Sequence, residues 1–224
     1  VKSVARLGVY LTDLFFPPRC VGCARAGSVF CHRCAQSVAA VVAPTCPHCG
    51  RPQPQPVELC RSCRLGERDA LALVRIATLH SHPLRPAIHA LKYAGQPELA
   101  APLARYLVAL AQQPPWLEIL PRIDGVVPVP LHAQRLAERG YNQSLLLAKG
   151  LRSALRKWGR TAPTVVDVLV RCREAPPQAG LEENQQIHDV IQEIRGREEI
   201  QIVRREDDGA QLAGRRNLTE ENLA

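Results

Sequence analysis

The stretch that decides the fold runs from Cys20 to Cys63: CVGCARAGSVFCHRCAQSVAAVVAPTCPHCGRPQPQPVELCRSC. It holds eight of the chain's nine cysteines, in four pairs of one spacing. These are Cys20-Val-Gly-Cys23, Cys31-His-Arg-Cys34, Cys46-Pro-His-Cys49 and Cys60-Arg-Ser-Cys63. Two thiolates separated by two residues grip one tetrahedral ion from one tight turn, and two such turns complete a four-sulfur site. Zinc is therefore expected at two structural sites. A sequential pairing gives Cys20, Cys23, Cys31 and Cys34 for one ion and Cys46, Cys49, Cys60 and Cys63 for the other. An interleaved pairing fits the same spacing and stays open. Four sulfurs per ion leave no position for water or substrate, so the sites read as structural rather than catalytic. A segment of about 45 residues is also too small to fold by burial alone, and metal supplies the missing energy. His32 and His48 lie inside the metal turns and are expected as exposed turn residues, because the cysteine count is already complete.

The competing explanation is a disulfide framework in an exported domain. Residues Leu7 to Phe16 superficially resemble an export signal. Asp13 interrupts them, Pro17-Pro18 ends them and no small-residue cleavage site follows. A cytoplasmic location is the expectation. Use of the pairs in redox exchange is disfavoured, since that chemistry calls for one exposed acidic pair rather than four in series. Cys172 stands apart and reads as a lone buried thiol.

Working outward, the chain of 224 residues carries a formal charge of +8, unevenly spread. Residues 1–180 hold 23 Lys and Arg against 10 Asp and Glu, while residues 181–224 hold 6 against 11. The basic part suits phosphates or nucleic acid. Aromatics make up only 4%, which argues against base stacking on an aromatic sheet. The 46% hydrophobic content excludes global disorder, and no apolar stretch approaches the ~20 residues of a membrane span. The missing start methionine suggests a trimmed or partial chain.

Beyond the cysteines, residues 69–79 read as a strand entering a new domain. Leu84 to Tyr93 reads as a helix with Ile88 and Leu91 on one face. Pro97 to Leu110 reads as another, stopped by Pro114-Pro115. Val126, Val127 and Val129 give a buried-strand signal that Pro128 and Pro130 must end. Ser144 to Lys157 is a helix and Val165 to Val170 a further strand. Strand, loop, helix, strand predicts a parallel α/β domain, whose ligands sit at the carboxyl ends of strands. The loop from Pro128 to Gln143 lies at such an end and carries Arg135, Arg139, Asn142 and Gln143, donors suited to phosphate or ribose oxygens. The organisation predicted is a helix and double zinc ribbon over 1–68 and an α/β domain over 69–224.

These residues resemble the competence protein F family, a double zinc ribbon joined to a type I phosphoribosyltransferase-like domain. The resemblance rests on Leu14-Phe-Phe-Pro17-Pro-Arg-Cys20-Val-Gly-Cys23, Cys46-Pro-His-Cys49-Gly50 and Ile88-His-Ala-Leu-Lys92-Tyr93. Asp124-Gly-Val-Val-Pro128-Val-Pro130-Leu131, Arg139-Gly-Tyr-Asn142-Gln143, Arg171-Cys-Arg173 and Pro177-Gln178-Ala-Gly-Leu181 extend it. It implies a phosphoribosyltransferase-like central parallel sheet with helices, phosphoribosyl pyrophosphate as ligand together with Mg2+, and a role in DNA uptake during natural transformation. It places Lys92, Arg135 and Arg139 near the substrate phosphates, with Asn142 and Gln178 nearby. On this reading the chain transfers a 5-phosphoribosyl group. The alternative is a non-catalytic zinc-ribbon module with a degenerate ligand site, contacting single-stranded DNA or a competence helicase through arginines in and beside the metal turns.

The resemblance weakens after Leu181. The family's ligand-binding strand ends in two aspartates followed by a Thr-Thr-Gly turn. Here Ile200 to Val203 supplies the strand, but Arg204-Arg205 stand where the acidic pair belongs and Asp207-Asp208 where the hydroxyl pair belongs. Ile187, Val190, Ile191 and Ile194 mark one apolar helix face. A degenerate family member, a frameshifted gene and a false local alignment are the competing explanations.

Overall fold

A computed structural model describes residues 17–66, 71–171 and 200–202. The N-terminal part is two turns of one design. In the first, Cys20 N–H donates to Arg25 O (2.8 Å) and Ala24 N–H to Cys20 O (2.7 Å). In the second, Cys46 N–H donates to Arg51 O (2.9 Å) and Gly50 N–H to Cys46 O (2.9 Å). Each turn is closed by an antiparallel bridge, Arg19 with Ala26 and Thr45 with Pro52. Each is answered by a one-turn helix that begins just after the first cysteine of the next pair, α1 (His32–Gln36) and α2 (Arg61–Arg64). The residue after each turn's second cysteine is left-handed, Ala24 at φ 60° and Gly50 at φ 68°.

The segment 71–79 is not a strand of the following domain. Thr78 pairs with Ala40 in an isolated antiparallel bridge, and Val74 N–H donates to His48 O at 2.8 Å. This apolar run finds its backbone partners along the second ribbon, so it belongs to the ribbon's edge.

The helices follow their apolar spacing closely. Helix α3 spans Leu84–Tyr93 and buries Leu84, Ala87, Ala90 and Leu91. A 3-10 turn over Pro97–Leu99 leads into α4 (Ala100–Ala111), which buries Leu103, Ala104 and Val108 among others. The short α5 (Trp116–Ile119) and a second 3-10 turn (Leu120–Arg122) precede strand β1 (Gly125–Val126). Helices α6 (Ala133–Arg139) and α7 (Gln143–Lys157) separate β1 from β2 (Thr164–Val165), and β3 (Leu169–Arg171) and β4 (Ile200–Ile202) follow. Helix α7 crosses α4 at Gly150, where an added Cβ would fall 2.7 Å from Ala104 Cβ, so a larger residue would push the helices apart.

The expected parallel unit is present in reduced form. Strand β1 pairs with β2 in parallel, Gly125 opposite Thr164 and Val126 opposite Val165. The expected strand over Val165 to Val170 is broken, and its second part, β3, pairs antiparallel with β4. Among the described residues the parallel sheet has these two strands, so a phosphoribosyltransferase-like central sheet is not established. Val127 and Val129 are exposed, 47% and 56%, while Pro128 and Pro130 are buried. Alternation along extended backbone puts one set of side chains inside, and here the prolines take it.

The main core joins the first ribbon to the helices. Cys20, Phe30 and Cys34 pack with Leu84, Ala87, Leu91, Leu99 and Leu103 in one cluster. Two polar contacts reinforce it: Tyr106 Oη donates to Ala35 O at 2.8 Å, and His82 Nε2 lies 2.8 Å from Gly22 O. The second ribbon's buried apolar cluster consists of its four cysteines alone.

Candidate zinc and anion sites

The backbone gathers the eight sulfurs in the sequential pairing. The Sγ atoms of Cys20, Cys23, Cys31 and Cys34 all lie within 4.8 Å of one another, and so do those of Cys46, Cys49, Cys60 and Cys63. A tetrahedron with Zn–S bonds of ~2.3 Å has edges of about 3.8 Å. Cys23 to Cys31 and Cys49 to Cys60 are both 3.6 Å apart, and Cys46 to Cys63 is 3.9 Å. The donor sets thus fit two structural zinc ions. Backbone amides support them in matching ways, with Cys31 N–H donating to Cys20 Sγ at 3.3 Å and Cys60 N–H to Cys46 Sγ at 3.4 Å.

Those amides tune the thiols. Burial pushes the Cys20 thiol up, but N–H groups of Cys31, Gly22 and Cys23 outweigh it and bring the pKa down to about 6. Cys46 is likewise about 6, burial being outweighed by N–H groups of Cys49, Cys60 and His48. Cys34 and Cys63 are shifted up, by burial first and then by neighbouring thiols; burial also raises Cys49, against the opposing Arg51 N–H and Cys63. Cys20 and Cys46 are therefore readily thiolates, and a nearby cation favours deprotonation of Cys34, Cys49 and Cys63.

The two sites differ. In the second, all four cysteines are buried; in the first, Cys23 is exposed and Cys31 half-buried. His32 is exposed as expected, but His48 is half-buried with Nδ1 3.3 Å from Cys63 Sγ. The turn that presents Cys46 and Cys49 also carries this ring against the site's last ligand. In the tautomer with hydrogen on Nδ1 the ring donates to the sulfur.

The second cluster of interest lies where the loop after β1 meets α3. Asn142 organises it. Its Oδ1 accepts from Ser144 N–H (2.9 Å) and Leu145 N–H (3.4 Å), capping α7, while its Nδ2 donates to Val129 O (3.1 Å). Gly140, left-handed at φ 79°, ends α6 and turns the chain into this cap. Tyr141 Oη donates to Leu91 O at 2.7 Å, clamping the loop to α3 beside Lys92.

Arg139 is thereby brought to α3 at Tyr93, the residue after Lys92. The Arg139 guanidinium stands 5.5 Å over the Tyr93 ring, and its Nη1 donates to Gln143 Oε1. Burial, and then the nearby Arg139 charge, holds the Lys92 ammonium below the ordinary lysine range. Arg135 is placed differently: its Nη1 is 2.9 Å from Glu138 Oε2 in an exposed i,i+3 ion pair. Gln178 lies outside the described residues, as do Cys172, the apolar helix face over 187–194 and the Arg204 to Asp208 stretch. Sequence reasoning missed Tyr93 and Tyr141 as parts of the cluster. Both stood within the motifs carrying the resemblance, but neither has a charge to draw attention.

Comparison with known proteins bears on this arrangement. The double zinc ribbon domain profile matches residues 11–64. The chain is 28% identical over 171 residues to competence protein F of Haemophilus influenzae, covering 75% of this chain and 71% of that protein. Over three quarters of its length the chain is thus similar to competence protein F, and its N-terminal part matches the double zinc ribbon. It is also 36% identical over 121 residues to the DNA utilization protein YhgH of Salmonella typhi, covering 54% of this chain and 52% of that protein. The Escherichia coli K12 protein of that name is 34% identical over 120 residues, with 53% and 52% covered. The chain thus spans about half the length of these YhgH relatives. No solved structure matches. Among the described residues no helix is long and apolar enough to cross a membrane.

Proposed function

We propose that this chain serves DNA uptake or utilisation, the activity named for its relatives, as a double-zinc-ribbon protein with an anion site at Lys92 and Arg139. The observation carrying the proposal is the placement of Arg139 over Tyr93, next to a half-buried Lys92 whose ammonium pKa is lowered by burial and then by the Arg139 charge. Holding two positive charges together, one of them partly desolvated, is unfavourable unless an anion joins them. Asn142 and Gly140 shape the loop, and Tyr141 fixes it to α3. The ligand proposed is phosphoribosyl pyrophosphate, with Mg2+ screening its pyrophosphate, and Gln178 as a further contact. In a transfer reaction Lys92 and Arg139 would stabilise the departing pyrophosphate. Arg135 would contribute only after leaving Glu138. The corresponding division is a ribbon over 1–68 and a ligand-binding domain over 69–224 whose first segment, 71–79, lies back along the ribbon's edge, in a cytoplasmic protein.

Isothermal titration with phosphoribosyl pyrophosphate and Mg2+ tests this directly. Saturable heat that disappears in Lys92→Ala and Arg139→Ala supports the reading. No heat at millimolar ligand with folded, zinc-loaded protein refutes it.

A second reading rests on a separate observation. Arg19, Arg25, Arg33, Arg61 and Arg64 are all exposed on the ribbons, where Glu58 is the one carboxylate among the described residues. Phe30, the ribbons' aromatic, is buried in the core. Such a surface would contact phosphates of single-stranded DNA, or an acidic face of a helicase partner, without reading bases. Binding that weakens with salt and with Arg33→Ala or Arg61→Ala supports this module, whatever the outcome at Lys92.

A further inference from the structure

We infer that Cys23 and Cys31 form a thiol-oxidation site, through which a hydroperoxide opens the first zinc site while leaving the second closed. The two metal centres share one design, yet their exposure to solvent differs. Cys46 and Cys49 are 0% exposed, and Cys60 and Cys63 are 6% and 7%. In the first site Cys20 and Cys34 are buried at 2% and 5%, but Cys23 is exposed and Cys31 half-buried. The two accessible sulfurs are also neighbours, 3.6 Å apart. A disulfide bond is ~2.05 Å long, so closing it calls for a shift of about 1.5 Å between two side chains at the surface.

The chemistry balances with the peroxide as sole oxidant. The Cys23 thiolate attacks one peroxide oxygen and the O–O bond breaks. The product is a sulfenic acid on Cys23, and hydroxide or alkoxide leaves. The Cys31 thiolate then attacks the Cys23 sulfur, forming the S–S bond and expelling hydroxide. Two protons from the buffer acid neutralise the two leaving groups. The sulfurs lose two electrons and the peroxide gains them. Only Cys20 and Cys34 then remain as thiolates for zinc, and two sulfurs do not hold a structural ion.

The consequence extends past the metal. Cys20 and Cys34 share the core with Leu84, Ala87 and Leu91 of α3, and Gly22 sits against Cys34 and Pro83, where a Cβ would lie 2.9 Å from each. Loss of the ion therefore loosens the packing under α3 as well as the turn itself. The second site faces the opposite hazard. Its sulfurs are covered, but its cluster has no apolar residue besides the cysteines, so it becomes reactive only by local opening.

The test uses the zinc-loaded chain with Cys172→Ser, which removes the ninth thiol. Hydrogen peroxide is added, released zinc is followed with a chromogenic chelator, and thiols are assigned by differential alkylation and mass spectrometry. The expected result is one equivalent of zinc released at least about tenfold faster than the second, with Cys23 and Cys31 lost together and recovered by dithiothreitol. Hydrogen exchange at residues 84–92 rises in step with the first equivalent. Release of both ions at one rate, or earlier loss of Cys49 and Cys60, overturns the proposal. The assignment comes from the unsubstituted metal ligands, so it does not depend on a ligand variant that fails to fold. As a second arm, Cys23→Ser is expected to end the peroxide-driven fast phase if it retains two zinc ions. If it binds only one, the remaining ion is expected to show the slow rate, and a fast rate there also refutes the inference.

Discussion

Replacing Gly50 with alanine and Ala24 with glycine probes the two ribbon turns in opposite directions. Both residues follow the second cysteine of a metal turn, and both are left-handed, at φ 68° and 60°. A Cβ in that region costs roughly 1–2 kcal/mol. At Gly50 space adds to the cost: an alanine Cβ would fall 2.8 Å from Val74 O and 3.0 Å from Arg75 Cα. Both atoms are backbone, in a segment held to the turn by the Val74 N–H to His48 O bond, so no side chain can rotate away. Overpacking of this kind costs about 1–3 kcal/mol, and the stiffer unfolded chain returns roughly 0.4–1 kcal/mol. Gly50→Ala is therefore expected to destabilise by about 2–4 kcal/mol. Ala24→Gly relieves the backbone and loses only the unfolded-chain term, for a net gain of about 0.5–1 kcal/mol. Zinc binding and ribbon folding are coupled, so the assay is chelator competition at each site. Affinity at the second site should fall roughly 30- to 1,000-fold in Gly50→Ala, and at the first rise roughly 2- to 5-fold in Ala24→Gly. An affinity in Gly50→Ala within threefold of the parent, or a weaker first site in Ala24→Gly, would refute the steric argument.

Complete removal of zinc should unfold the second ribbon, whose core is its four cysteines, while α4 and α7 persist. Far-UV circular dichroism after chelation should retain most helical signal, and a coil spectrum would show that metal holds the whole chain. Asn142→Ala removes the cap of α7 and the tie to Val129, and should cost about 1 kcal/mol in urea unfolding. A larger effect on anion binding than on stability would show that the cap positions the loop. Lys92 gives a pH signature. Its folded pKa is lowered, by burial first and then by Arg139, so the unfolded chain holds that proton more tightly. This residue's contribution to stability therefore rises as pH climbs from its folded pKa toward the ordinary lysine value of ~10.4. Anion binding goes the other way and should fall below the usual lysine range. Lys92→Met should abolish binding and raise Tm; a lowered Tm would show that the ammonium is satisfied within the fold.

Much of this was legible in the cysteines and in helical spacing. Metal ligands four to a site are set by local turns, so Cys-x-x-Cys pairs predict their own geometry. The helix over Leu84–Tyr93 carries its buried face at the spacing its sequence shows. The failures come where a local signal has two physical outlets. Residues 71–79 are apolar enough for a strand, but their backbone partners lie along a ribbon edge that no spacing announces. The valines at 127 and 129 alternate with prolines that are also apolar, and sequence does not say which set faces inward. Arg135 and Arg139 look equivalent, four residues apart on one helix. Glu138 takes the first, and Tyr93 lies under the second.

The same comparison shows why the first ribbon should not be thought of as an appendage. Its sulfurs Cys20 and Cys34 pack into the cluster that buries one face of α3, and Lys92 follows directly on Leu91 of that cluster. Tyr141 then hydrogen-bonds to the carbonyl of Leu91, so the loop bearing Arg139 is referenced to the same helix. One helix thus carries the first sulfur cluster on its buried face and, at its C-terminal end, the residues proposed above to bind an anion. A metal that only stabilised a separate module could be lost without cost to ligand binding. Here the two are joined through Leu84, Ala87 and Leu91. Anion affinity should therefore depend on the occupancy of the first zinc site and be indifferent to the second, whose cluster touches none of those residues.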